Sequence, residues 1–408
     1  MQLDEPRDGL PPVYSTPTEF QHAAAALAAG HGPIAVDTER AQTYRFDDRI
    51  FLLQLRRAGS GSFLIAPERH RRELPRILAP VLNPETWILH SAHNDLPMLR
   101  ALGIYPSGLI DTEIASRLLG VDKPNLSNSL QHFLGISLAK GHGRENWSRW
   151  PLPSSWLNYA ALDVELLIEL AEAQAALLEQ ENKSSWMAQE CAHLLALCDV
   201  DAPEPSWTGV KGVGTIRSRK QLAFMRELWA GRRTVARKHD LPPFKVLPNP
   251  LLLELARRQP RSKKELKDAV QPQRRLKDVP SRVRAELLDE LSMALGRARA
   301  MRKETWPQRP GENQRSGDYG VKSSDPLYKA SLQAVREDLE DLGESLHLDR
   351  GLLIDARAMK KIVAHSVNVG PLDDAELDAD YQRFDVRPWQ QELTRTIFHR
   401  HLQASSNY

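Results

Sequence analysis

Asp37-Thr38-Glu39 follows directly on the apolar run Ile34-Ala-Val36. Residues two apart on a strand point to the same face, so Asp37 and Glu39 present two carboxylates together at the end of a buried strand. Like charges that close repel, and a divalent cation relieves the repulsion. Asp95 closes His93-Asn94-Asp95, where a strand hands over to a helix; taken alone it reads as an N-cap. Asp163 lies mid-helix in Tyr159-Ala-Ala-Leu-Asp163, on the same face as the tyrosine one turn earlier. Aspartate has poor helix propensity there and needs a reason. The pieces are spaced by 58 residues from Asp37 to Asp95 and 68 from Asp95 to Asp163. Four hard oxygen donors suit Mg²⁺ or Mn²⁺ and not zinc. Two such ions about 4 Å apart can stabilise the attacking and leaving oxygens of an in-line phosphoryl displacement. A tyrosine one turn from a metal ligand can hold the attacking water. The tripeptide recurs at Asp111-Thr112-Glu113 ahead of a helix, where it reads as a cap with a first-turn acid.

The elements that must position these residues are legible from periodicity. Apolar runs at 33–36, 50–55 and 62–66 read as three strands in a meander, and Trp87-Ile-Leu-His90 as a fourth strand. Helical spacing covers 17–29, about 68–80, 95–102, 112–119, 126–134 and 154–180, the last opening at Ser154-Ser155 after Pro153. The first 200 residues are therefore α/β, strands first and helices later. A break at 202–206 precedes helical periodicity from about 216 to 298. Pro307, Pro310, Gly311, Gly317, Gly320 and Pro326 mark a linker, and 327–402 is again all-helical, with a break at Pro388-Trp389. The expected domains are 1–200 (core about 15–195), 205–300, a linker at 301–326, and 327–408.

The chain has 408 residues, 41% of them hydrophobic, enough for several cores. No run approaches the roughly 20 apolar residues of a membrane helix. The first 14 residues are acidic and proline-rich with no signal-peptide pattern, and the two cysteines, Cys191 and Cys198, argue against a disulfide scaffold or a zinc ribbon. A soluble protein of the cytoplasm is expected. The net charge of +2 hides a division: residues 1–200 hold 17 basic and 24 acidic residues, 201–310 hold 26 and 12, and 311–408 hold 12 and 17. The net charges are thus −7, +14 and −5. A block at +14 between two acidic ones reads as a polyanion-binding module.

Asp-x-Glu, then Asp, then Tyr-x-x-x-Asp resembles the DEDD superfamily of 3′→5′ exonucleases in its tyrosine-containing branch, and within it ribonuclease D. Leu52-Leu-Gln54-Leu55, Asp111-Thr112, the helix from Leu130 to Leu138, and Trp147 with Pro151-Leu152 are similar to further family segments. The resemblance covers roughly 15–195. It implies a ribonuclease-H-like mixed sheet flanked by helices, Asp37, Glu39, Asp95 and Asp163 as ligands of two divalent cations (Mg²⁺ or Mn²⁺), and Tyr159 positioning the water or helping to deprotonate it. The sequence departs from the family at Ala139, at Glu145-Asn146, and at Trp150, where an arginine is common.

Residues 216–294 resemble the helicase-and-ribonuclease-D C-terminal (HRDC) domain through Leu222 to Arg233, Ala236-Arg237, Asp240-Leu-Pro-Pro243 and Leu251 to Ala256. Basic residues interleave through this block, among them Arg217, Arg219, Lys220, Arg232, Arg233, Arg237 and Lys238, which are expected to neutralise phosphates without reading bases. Trp207 and Trp229 read as core. No G-x-x-x-x-G-K-[ST] loop is present, so neither a helicase nor a nucleotide cofactor is expected. His90/His93 and His399/His401 lack partners at zinc spacing. By analogy with tandem helical domains, 327–408 reads as a diverged second HRDC-like unit. The resemblance implies a 3′→5′ exoribonuclease that releases nucleoside 5′-monophosphates from the single-stranded 3′ ends of structured RNA such as tRNA precursors. The rival readings are a DNA 3′→5′ exonuclease in repair, a catalytically retired RNA-binding protein, and a structural scaffold.

Overall fold

The computed structural model describes residues 2–138, 141–198, 205–270, 279–309, 321 and 324–403. Ala139-Lys140, residues 202–204 of the expected break, 271–278 of the basic block, and most of the linker from 310 to 323 lie outside the described residues. The described residues fall into two compact units. One is drawn from Met1–Glu39, Ile50–Ala202 and Gly317–Tyr408, the other from Arg40–Arg49 and Pro203–Ser316.

The first unit begins with β1 (Gln2–Leu3), β2 (Val13–Tyr14), α1 (Pro17–Ala29), β3 (His31–Arg40), β4 (Ile50–Ala58), β5 (Gly61–Ile65), α2 (Leu74–Leu82), β6 (Thr86–Leu89), α3 (Leu96–Leu102), β7 (Gly108–Asp111), α4 (Thr112–Leu118), α5 (Leu126–Leu134), β8 (Ser137–Leu138), α6 (Ser154–Glu165), α7 (Leu167–Gln180) and α8 (Ser184–Cys198). Six strands form a mixed sheet in the order β2-β5-β4-β3-β6-β7. β4 and β5 are antiparallel, while β2–β5, β3–β6 and β6–β7 are parallel. The expected α/β class with a mixed, helix-flanked sheet is the observed one.

Strand alternation sorts the residues of β3 between two cores. Ile34 and Val36 pack with Leu53, Leu55, Phe20 of α1 and Leu78 of α2. Ala35 faces the other way, with Ile88 of β6 and Val164, Leu167 and Leu170 of α6 and α7. Burying each large aliphatic side chain is worth about 1.5–3 kcal/mol, and a one-residue slip of β3 would exchange the two sets, setting Ala35 where Ile34 and Val36 fill the first core and forcing the larger side chains into the second.

Three departures from the periodicity reading have local causes. The helix expected over 68–80 starts only at Leu74, because the residues before it close i→i−3 turns, the His70 amide on the Pro67 carbonyl and the Glu73 amide on the His70 carbonyl. The single helix expected over 154–180 breaks at Leu166, which has φ −119° and ψ 9°. Beside it, Arg7 Nη2 donates to the Glu165 carbonyl at 3.2 Å, taking an acceptor that a continuous helix would use itself. β7 was not expected as a strand, since Gly108-Leu-Ile-Asp111 is short and bounded by Pro106.

The second unit is helical: α9 (Arg219–Lys238), α10 (Pro243–Val246), α11 (Asn249–Arg258), α12 (Lys263–Val270) and α13 (Ser281–Ala300). Its core joins Leu222, Met225 and Leu228 of α9 to Leu252 and Leu255 of α11 and Leu287 and Leu291 of α13. Segment 40–49 is anchored within this unit, where Asp240 accepts from Arg49 Nη2 at 2.8 Å and from the Phe46 amide at 3.1 Å.

The chain ends in α14 (Pro326–Leu346), α15 (Arg350–Leu353), α16 (Ala356–Val369), α17 (Asp374–Arg383) and α18 (Pro388–Gln403), the last opening at the expected Pro388-Trp389 break. These helices belong to the first unit and extend the core that contains β3 and α1. Trp389 stacks on Trp186 of α8 at 4.8 Å, and its indole nitrogen donates to Glu190 at 2.8 Å. No helix among the described residues is long and apolar enough to cross a membrane.

Candidate active site

Asp37 and Glu39 continue the face of β3 that starts at Ala35, the face covered by α6 and α7. Asp163 comes down onto it from α6. The three carboxylates each offer an oxygen, and these oxygens lie within 4.8 Å of one another. Anionic hard donors at that spacing fit a divalent cation. Asp95 stands outside that group and reaches the site from the opposite face of the sheet. Thr38 points to that face, and its hydroxyl donates to Asp95 Oδ1 at 2.5 Å. Asp95 occupies the N-cap position of α3, yet its side chain caps no amide of that helix. The capping reading of Asp95 is thereby replaced by an orienting contact with the strand that bears the other acids.

Burial pushes the Asp163 carboxyl up to about 8, the Tyr159 hydroxyl bond pulls it down, and the Asp95 charge adds to the rise. Tyr159 is raised above its ordinary value of 10 by burial and by the charges of Asp163, Glu39 and Asp37. The phenol is therefore a neutral O–H donor at physiological pH, and it donates to Asp163.

Asp111 caps α4 as expected, but its contact with the turn before Asp95, and the support that Gly141 gives Tyr159, escaped the sequence reading. Asp111 is fully buried and accepts from the amides of Ser91 at 3.0 Å and Ala92 at 2.7 Å, holding Ser91 in the left-handed region at φ 64°. That turn delivers Asp95. The second support is Gly141: a Cβ there would sit 1.7 Å from Tyr159 Cε2, so only glycine lets this segment pass over the tyrosine ring. The Gly-His-Gly run at 141–143 was the available signal.

The basic residues singled out in the second unit divide by environment. Arg217, Arg219, Lys220, Arg237 and Lys238 are exposed. Lys238 pairs with Glu286 at 2.5 Å, Arg219 donates to the Trp306 carbonyl at 2.6 Å, and Arg237 and Arg233 lie over the Phe46 ring at 5.3 and 5.1 Å. Arg217 and Lys220 have no ion-pair partner among the described residues. Arg232 must be corrected. It shares the core face of α9 with Leu222, Met225, Leu228 and Val235, is 4% exposed, and donates to the Leu247 carbonyl at 2.9 Å and to Asn249 Oδ1 at 2.7 Å. It ties α9 to the start of α11 and is out of reach of a phosphate. Trp207 and Trp229 pack partly buried against the core of this unit.

Residues 12–179 match the family described as 3′-5′ exonuclease, 221–277 match the HRDC domain, and 321–402 match the 3′ to 5′ exonuclease C-terminal domain. Among curated relatives, ribonuclease D of Bartonella henselae is 29% identical over 62% of this chain and 62% of its own length. Ribonuclease D of Pseudomonas paraeruginosa is 35% identical over 44% of this chain and 48% of its own. The matched region thus spans about half to three-fifths of these relatives' length. A solved protein from Bifidobacterium adolescentis is 29% identical, covers 98% of this chain and 99% of its own, and superposes with a TM-score of 0.80. Escherichia coli RNase D shares the fold, at 23% identity, with a TM-score of 0.69 over 97% of this chain and 99% of its own. The chain thus carries a 3′-5′ exonuclease domain with clustered acids, an HRDC domain and a 3′ to 5′ exonuclease C-terminal domain, and in these it is similar to ribonuclease D.

Proposed function

We propose that the protein is a metal-dependent 3′→5′ exoribonuclease of the cytoplasm that trims the 3′ ends of structured RNA, tRNA precursors among them, and releases nucleoside 5′-monophosphates. The observation that carries this reading is the meeting of Asp37, Glu39 and Asp163 within 4.8 Å beneath Tyr159, in a chain similar to ribonuclease D. These carboxylates, with Asp95 oriented by Thr38, would hold two divalent cations, Mg²⁺ or Mn²⁺. When bound, such a pair supplies charge stabilisation at the attacking and leaving oxygens. The Tyr159 hydroxyl keeps its proton and donates it in a hydrogen bond to Asp163, so its oxygen is left to accept from a water and to fix that water's orientation. Attack by the water forms the new P–O bond and breaks the bond to the 3′ oxygen; the water's proton passes to solvent, and the leaving 3′ oxygen takes one from solvent to become a hydroxyl. The exposed cations of the second unit, Arg217 and Lys220 first, would hold the RNA body through its phosphates.

The test is degradation of a 5′-labelled RNA with a 3′ overhang, and of the DNA of the same sequence, in Mg²⁺, Mn²⁺ or EDTA, with Asp37→Ala alongside. Shortening of RNA from its 3′ end that requires metal and Asp37 is the expected result. A preference for DNA would move the protein to repair chemistry. Salt-dependent RNA binding without hydrolysis would leave a retired nuclease fold.

A further inference from the structure

A cavity of about 150 Å³ opens in the first unit, lined by none of the four acids. The strands explain why its walls converge. β2 and β5 run parallel and β4 antiparallel to β5, so the segments that follow β2 and β5 and the start of β4 meet at one sheet edge. Phe51 of β4 forms part of the floor, and the loop before α6 closes the wall with Trp147, Arg149 and Trp150. An aromatic run joins this wall to the acidic site: Trp147 lies 5.5 Å from Trp156, Trp156 6.1 Å from His142, and His142 6.1 Å from Tyr159.

Three features of the cavity have no structural explanation within the fold. Trp147 is 1% exposed, yet its indole N–H has no hydrogen-bond partner. A buried donor left unmade is costly and asks for an acceptor. Trp150 is 51% exposed, on the same wall. Arg69 and Arg149 also line the cavity, are exposed, and have no ion-pair partner among the described residues. The cavity's carboxylate, Glu68, pairs with Arg71 at 2.8 Å. The balance that meets a ligand is therefore cationic and aromatic, with one unmet N–H donor.

We propose that this cavity is a nucleotide subsite for the substrate strand, in which an unpaired base stacks on Trp150, an acceptor on that nucleotide takes the Trp147 N–H, and the adjoining phosphate faces Arg69 and Arg149. An indole offers a sequence-tolerant face to any base, while the guanidinium groups read only charge. The inference rests on the exoribonuclease reading for the identity of the strand, and on the cavity itself for the chemistry of the ligand.

The experiment uses the full chain labelled with ¹⁵N at the tryptophan indoles, in EDTA, with Trp147→Phe and Trp150→Phe to assign the two signals. AMP and a short oligoadenylate are expected to shift both, and inorganic phosphate to shift neither to the same extent. In the hydrolysis assay, Trp150→Ala is expected to raise KM for an oligonucleotide about tenfold, more than it lowers kcat, and Trp150→Phe to restore most of the loss. Indole signals unmoved by millimolar AMP and oligoadenylate would overturn the subsite. So would a phosphate response equal to that of AMP, or equal KM values for Trp150→Ala and the wild type. Absence of RNA hydrolysis by the wild type would sink the exoribonuclease reading and leave the indole titration to decide the cavity.

Discussion

The tripeptide Asp-Thr-Glu occurs twice in this chain and does two different things. At 37–39 it ends a strand. The amides there belong to the sheet, and Asp37 and Glu39 turn toward Asp163 on the facing helix. At 111–113 it begins a helix, whose first amides are unspent. Asp111 takes those of Glu113 at 2.9 Å and Ile114 at 3.4 Å, besides the two from the Ser91–Ala92 turn. The threonines diverge in the same way. Thr38 orients an acid, whereas Thr112, fully buried, donates to the Leu89 carbonyl at 3.2 Å. Identical side chains thus become part of an acidic cluster or a structural knot according to which backbone donors lie nearby. The two are also coupled, because Asp111 holds the turn that brings Asp95 to Thr38.

The aspartates give the widest separation. Asp37→Asn is expected to lower RNA hydrolysis about 10³-fold, the equivalent of several kcal/mol of charge stabilisation. The metal-free variant should melt no lower than the wild type, since one of several crowded like charges is gone. Asp111→Ala should act first on stability: a loss of about 3 kcal/mol in urea denaturation, because buried amides lose a charged acceptor, with activity falling only as far as the turn before Asp95 loosens. If Asp111→Ala kept its stability and lost its activity, the division of labour would be wrong.

That division was partly legible beforehand. The face rule for strands placed Asp37 and Glu39 together, and the helical turn placed Tyr159 over Asp163, because both rules act within one element. The different reading of Asp111 followed from the helix after it. What lay beyond reach were contacts between elements distant in sequence. Thr38 to Asp95 spans 57 residues. The exclusion of Asp95 from α3 capping depends on a backbone geometry that no spacing reveals. Arg232 was misread for a related cause: it looks like its exposed neighbours in composition, and only its place on the Leu222–Val235 face of α9 shows that it is buried. The C-terminal helices read correctly as helices, but nothing in their periodicity showed that they would share a core with the sheet.

The threonines should differ by less. Thr38→Val removes the donor that orients Asp95 and is expected to weaken metal affinity about 10- to 100-fold, as loss of an outer-shell partner does. Metal titration of hydrolysis would show it as a shifted midpoint with the maximal rate largely recovered. Thr112→Val breaks the hydroxyl's hydrogen bonds to the Leu89 carbonyl and to His90 Nδ1, and should cost about 2 kcal/mol in stability with no shift in that midpoint.

The smallest effect is expected at the second glutamate and has a sign that can be worked out. Glu113 is held above its ordinary value of 4.5 by burial, with Arg117 opposing, Asp111 adding and His93 opposing. As pH rises through 4.5, the unfolded chain loses this proton before the folded one does, so folding stability falls until the folded carboxyl also ionises. The cost then persists at neutral pH. Glu113→Gln has no proton to lose there, and should be slightly more stable than the wild type at pH 7 and no more stable at a pH below 4.5. Its hydrolysis should match the wild type, whereas Glu39→Gln removes one of the three clustered carboxylates and should abolish it. Urea midpoints at the two pH values, taken beside the two rates, separate the glutamates. A Glu113→Gln variant as inactive as Glu39→Gln would mean that the second tripeptide takes part in the chemistry after all.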